Sequence, residues 1–123
     1  MHRRRWILWI PVTLWAGLIF YESSQPVGPR PSWWFNHADK VIHAVLFGTL
    51  ALLTYLPLRK AHAWRPRHAA IIAFIAAVAY GVSDEFHQLA TPTRSSDPWD
   101  AVADAAGASS VFIVAACSRY RAP

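Results

Sequence analysis

Cysteine is nearly missing from this 123-residue chain: Cys117 stands alone, so no internal disulfide can brace the fold. Its neighbours are apolar, which predicts a small buried hydrophobe rather than a reactive thiol. Charge is sparse, at 15% of residues, and negative charge sparser, with seven Asp and Glu against twelve Lys and Arg. No internal repeat, low-complexity tract or glycine-rich phosphate cradle is present. Two apolar runs, WILWIPVTLWAGLIFY and AAIIAFIAAVAYGV, carry no polar stripe at each helical turn, which excludes a soluble four-helix bundle. No small-x-small ending follows the first run, at Tyr21-Glu22-Ser23-Ser24-Gln25-Pro26. Arg3–Arg5 and that run therefore read as an uncleaved first span rather than a signal peptide.

Apolar blocks dominate what is there. Hydrophobic residues make up 54% of the chain, yet mean hydropathy is only +0.20, because polar loops separate the blocks. The blocks run from Trp6 to Tyr21, Val41 to Leu58, Ala69 to Val82 and Ala101 to Cys117. Flanking residues extend them toward the ~20 residues of a full crossing. The pattern predicts an all-α integral membrane four-helix bundle, a single domain over residues 1–123 with spans at about 6–21, 41–58, 69–83 and 101–117. Trp33, Trp34, Trp64 and Trp99 sit just outside the blocks, where an indole suits the bilayer interface. Arg3, Arg4, Arg5, Arg59, Lys60, Arg65, Arg67, Arg119 and Arg121 fall on one side of four spans; Arg30, Lys40 and Arg94 fall on the other. The positive-inside rule puts both termini in the cytoplasm. Glu22, Asp39, Asp84, Glu85, Asp97 and Asp100 lie in or beside the external loops, and Asp104 a turn inside the fourth block. The net charge of +5 is thus a topology signal, not a nucleic-acid footprint.

The polar residues able to do chemistry gather on the external side. Asp39, Lys40 and His43 open the second block, with Asp39 and His43 on one helix face. Asp100, Asp104 and Gly107 share a face at the start of the fourth. The third ends outward in Ser83-Asp84-Glu85-Phe86-His87-Gln88, and Arg94 and Ser95 follow in the loop. Three helix ends can bring these groups to one pocket.

Each has a plainer reading. Asn36 to Asp39 and Asp97 to Asp100 have the form of capping boxes, the second with Pro98 at the first helical position, so Asp39, Asp97 and Asp100 fit as caps. His43 and Asp104 lie about one turn inside the span, where an ionisable group reads as functional by default and otherwise as a buried pair joining helices. Lys40 can snorkel to the interface. Arg94 is expected to form a salt bridge with Glu85 or Asp84, and His37 and His87 to face solvent. His2, His62 and His68 read as surface residues on the basic side, and Ser23, Ser24, Ser95 and Ser96 lack a nucleophile elbow. No H-E-x-x-H or similar spacing specifies a metal, though Asp, His and Glu from several helices can hold a divalent ion. Outward helix N-termini with Lys40 and Arg94 favour anions. The surplus of carboxylates opposes them unless a metal bridges it.

Lys40-x-x-His43, Ser83-Asp84-Glu85-Phe86-His87-Gln88, Arg94-Ser95, Asp100, Asp104 and Gly107 together resemble the VanZ family over roughly residues 36 to 112, and Ser23-Ser24-Gln25-Pro26 fits it too. The resemblance implies a multi-pass protein of the bacterial cytoplasmic (inner) membrane, in a family whose named member is associated with resistance to teicoplanin. The family's polar positions carry over to Lys40, His43, Asp84, Glu85, Gln88, Arg94, Asp100, Asp104 and Gly107; the first eight are the expected ligand-binding residues, Gly107 is structural, and Asp39 and Asp97 are structural by their place at helix starts. Departures are Phe47 where Tyr is usual, Asp104 where Asn is usual, and Val111 in place of a second Gly. The expected function is an outward-facing polar pocket for a lipid-linked envelope component or a glycopeptide. Glu85, Asp84 and His43 are the catalytic candidates if the protein is instead a metal-assisted hydrolase or transferase. A structural accessory subunit is the third reading.

Overall fold

The computed structural model describes residues 3–119, all helix and connecting turn with no strand among them. His2 and Arg121 lie outside the described residues. The helices are α1 (Arg3–Ile7), α2 (Ile10–Ser23), α3 (Ala38–Lys60), α4 (Pro66–Leu89), α5 (Pro98–Ala108) and α6 (Ser110–Arg119). Four helical stretches are long and apolar enough to cross a membrane: Arg5–Ser23, Ala38–Lys60, Pro66–Leu89 and Pro98–Ser118, of 19 to 24 residues. At 1.5 Å per residue they rise roughly 29 to 36 Å, enough for a hydrocarbon core of ~30 Å.

The helices begin and end where local chemistry dictates. Pro66 and Pro98 open α4 and α5, where a missing N–H costs nothing. Asp97 caps α5 by accepting from the Trp99 backbone N–H at 3.0 Å. The reciprocal half of that capping box is absent, because the Asp97 N–H donates to Glu85 instead. At α3 the expected cap is one residue out: His37, not Asn36, takes the N-cap position, at φ 65° and with no side-chain cap. The left-handed turn at His37 starts the helix by itself, with the Lys40 and Val41 N–H groups bonded to its carbonyl. Helix α4 runs to Leu89, so Asp84, Glu85 and Gln88 ride its last turns.

Small residues let the backbones close. Ala69, Ala73, Ala77 and Gly81 recur every four residues along the buried face of α4; the three alanines join Phe47, Leu50 and Ala51 of α3 in the core, and Gly81 makes room for Asp104 of α5. Among lipid-facing helices this close approach replaces the hydrophobic drive available in water. The tightest seam joins α3 and α5: a Cβ on Gly107 would lie 1.9 Å from the Ala44 carbonyl oxygen. Leu14, Ile75 and Ile113 point outward, as lipid contact requires. Cys117 also points outward, contrary to the expectation of burial: the α6 phase turns Val111 and Ala115 inward and leaves Cys117 on the opposite face. Helix α2 lies against the bundle through few buried residues, held by Trp15 Nε1–H to the Leu46 carbonyl (2.9 Å) and Tyr80 O–H to the Ala16 carbonyl (2.7 Å).

A candidate ligand pocket at one end of the bundle

The N-termini of α3 and α5 and the C-terminus of α4 meet at the same end, because α4 runs antiparallel to its neighbours. Lys40 ties two helices: its Nζ donates to Asp39 Oδ2 (2.9 Å), Asp97 Oδ2 (2.5 Å) and Asp100 Oδ1 (2.5 Å). The ammonium beside Asp97 holds that carboxyl below its ordinary value. Lys40 therefore does not snorkel away; it is consumed by carboxylates.

One turn deeper, His43 Nδ1–H donates to Asp104 Oδ1 at 2.9 Å, and His43 Nε2 lies 3.7 Å from Asp100 Oδ2. Asp104 is 1% exposed, in space that Gly81 leaves open: a Cβ there would sit 2.5 Å from Asp104 Oδ2. Glu85, 7% exposed, completes the group. Its Oε2 accepts from Ser96 Oγ–H and the Asp97 N–H, both at 2.9 Å. Its Oε1 is buried without a protein partner, as is Asp104 Oδ2. Asp84 accepts from Gln88 Nε2–H at 3.1 Å.

The loops form the walls. Arg94 makes no salt bridge to Glu85 or Asp84, contrary to expectation. Its guanidinium reaches the other way, with Nε–H to the Gln25 carbonyl (2.8 Å) and Nη2–H to the Glu22 carbonyl (2.6 Å). Main-chain carbonyls at the end of α2 and just beyond it hold the guanidinium instead. Thr93, at φ 65°, accepts from the Val27 N–H at 3.0 Å and ties the same two segments. His87 is half-buried rather than solvent-facing: it stacks on Phe20 (4.6 Å between centroids) and donates from Nε2 to Ser24 Oγ (2.9 Å). The serine proton is already committed to the Phe20 carbonyl, which fixes the direction of that bond. His37, His62 and His68 are exposed.

Between these walls opens a cavity of about 900 Å³, within the size range of ligand pockets, bordered by Gln25, Trp34, His43, Gln88, Arg94 and Asp100. A second, more apolar groove of about 540 Å³ runs between α3 and α5 along Trp99, Val102 and Ala106. His37, Asp39 and Asp97 border both.

Of the residues singled out in the sequence, Lys40, His43, Glu85, Asp100 and Asp104 form one linked cluster, the Asp84–Gln88 pair sits beside Glu85 on α4, and Arg94 lies in the loop wall. Asp39 and Asp97 join the cluster through Lys40, and Gly107 faces Ala44. Sequence reasoning missed the hydrogen-bonding groups of the loops. Ser96 appeared only as an unsupported nucleophile, and Thr93 and the Glu22 and Gln25 carbonyls not at all, since nothing local marks a loop residue that bonds across about 70 positions.

No curated protein and no solved structure gives a significant match to the chain. The family model described as VanZ/LLP1 matches residues 4–119, nearly its whole length.

Proposed function

Since this chain belongs to the VanZ/LLP1 family, and from the two cavities at its polar end, we propose that it holds the headgroup of a lipid-linked cell-envelope component on the outer face of the bacterial cytoplasmic membrane. The observation that carries this reading is the shared wall. A polar cavity and an apolar groove meet at His37, Asp39 and Asp97, which suits a ligand with one polar and one greasy part. The outward orientation rests on Arg59, Lys60, Arg65 and Arg67 gathering at the opposite end. Gln88 and Arg94 border the polar side, and Lys40, through Asp97 and Asp100, keeps the wall in place. Teicoplanin tolerance would follow if the bound component lies on the route that the glycopeptide attacks.

The test is native mass spectrometry of the protein released from bilayer discs made with total bacterial envelope lipid. A retained lipid that disappears in Gln88→Ala and in Val102→Trp, which fills the groove, supports the reading. Retention equal in all three proteins removes it. A parallel susceptibility test compares hosts carrying matched amounts of wild type and Glu85→Gln; teicoplanin tolerance in the wild type alone extends the family role to this chain.

A further inference from the structure

Two sets of side chains at this end bring donor atoms within 4.8 Å of one another: Asp39, Asp97 and Asp100, and His43, Glu85 and Asp100. The first set already has its cation, the Lys40 ammonium. In the second, Asp100 gives Oδ1 to Lys40 and keeps Oδ2 toward His43, and Glu85 has one oxygen to spare. In the neutral imidazole, donation from Nδ1 to Asp104 leaves the His43 Nε2 lone pair facing Asp100 Oδ2 at 3.7 Å. Glu85 Oε2 is committed to Ser96 and Asp97, while Oε1, buried, has no protein donor. No lysine or arginine among the described residues pairs with Glu85 or Asp104. Carboxylates gathered this way out of water call for positive charge among them, either a proton on His43 or a bound cation.

We propose that His43, Glu85 and Asp100 bind one divalent transition-metal ion. The donor set is one imidazole nitrogen and two carboxylate oxygens, which favours Zn²⁺ or Mn²⁺ over the all-oxygen preference of Ca²⁺ and Mg²⁺. Donors around a tetrahedral ion with bonds of about 2.0–2.2 Å stand roughly 3.3 Å apart, a small side-chain adjustment from the spacing here. Asp104 occupies the place of an outer carboxylate that fixes the tautomer and ring orientation of a metal-bound histidine. Three protein ligands leave a coordination position open. His43 and Asp100 also border the polar cavity, so that position faces it. This deepens the pocket reading: the ion turns a carboxylate-rich wall, hostile to anions, into one that accepts a phosphate oxygen of a headgroup.

The experiment loads chelator-stripped full-length protein, in detergent and without added lipid, with Zn²⁺, Mn²⁺ or Co²⁺. Ion content is read by elemental analysis and Co²⁺ ligation by its visible absorption. The expected result is one ion per chain in the wild type. Affinity should fall at least 100-fold in His43→Ala and Glu85→Gln, and about 10- to 100-fold in Asp104→Asn, which touches only the histidine. Helicity and melting without metal, followed by circular dichroism, separate lost ligation from lost folding. If Glu85→Gln unfolds, Asp104→Asn and the Co²⁺ spectrum of the wild type decide. No stoichiometric uptake by the wild type, or uptake unchanged in the variants, overturns the site. Because no lipid is present, a protein that binds metal yet retains no headgroup keeps this site and loses the pocket reading, and the reverse result does the opposite.

Discussion

At the residue scale, the His43–Asp104 bond joins α3 to α5 below the interface. Removing the imidazole leaves a carboxylate that is 1% exposed with neither oxygen satisfied. His43→Ala should therefore cost roughly 2.5 kcal/mol or more. The double variant with Asp104→Ala should cost less than the sum of the single changes, with a coupling of about 0.6 to 2 kcal/mol. Unfolding in mixed micelles measures both, and strict additivity would show the pair to be uncoupled. Asp97 gives a pH prediction. Lys40 depresses its folded value below the ordinary 3.8. Its contribution is therefore complete above 3.8 and is lost as pH falls through the lower, folded value. Carbon-13 titration should place the Asp97 midpoint below 3.8, and Lys40→Met should move it up. Both pairs were half legible in the sequence: spacing put His43 and Asp104 a turn inside their spans, where a helix-joining pair was one reading, but nothing local matched Lys40 to Asp97. Arg94 was misread because charge suggests a charged partner, whereas the main-chain carbonyls of Glu22 and Gln25 offered fixed acceptors.

At the element scale, the prediction turns on two glycines in different surroundings. Gly107→Ala drives a methyl into the Ala44 carbonyl and should lower stability by about 1 to 3 kcal/mol. Gly17→Ala meets nothing within 4 Å and should be neutral or stabilising by up to about 1 kcal/mol. Thermal melting in one detergent compares them, and equal effects would remove the seam. Helix existence was legible, since four long apolar runs have few other solutions. Helix ends were less so. Asp97-Pro98 marks α5 locally, but α3 starts on a left-handed turn at His37 that no cap residue announces. The phase of α6 was also hidden: an apolar neighbourhood does not separate core from lipid, and Cys117 fell on the lipid side.

At the scale of the whole molecule, orientation can be read chemically. In a Cys117→Ser background, a membrane-impermeant maleimide applied to intact cells should label Val27→Cys and not Ala63→Cys; the reverse pattern would invert the protein and place the cavity in the cytoplasm. The convergence of three helix ends was legible from topology alone, because alternating spans return the second, third and fourth blocks to one side. A pocket there was expected, but its far wall was not legible, because that wall is a loop secured by Arg94 and Thr93 to the end of α2 and the segment just after it. The Gly107–Ala44 contact has a consequence for diversification. Main chain against main chain leaves no side chain there to exchange, so the floor under the cluster is closed to mutational exploration. Any retuning of what this scaffold accepts must be written in the segments 24–36 and 91–96, and a library aimed at new ligands should spend its diversity there and leave the seam untouched.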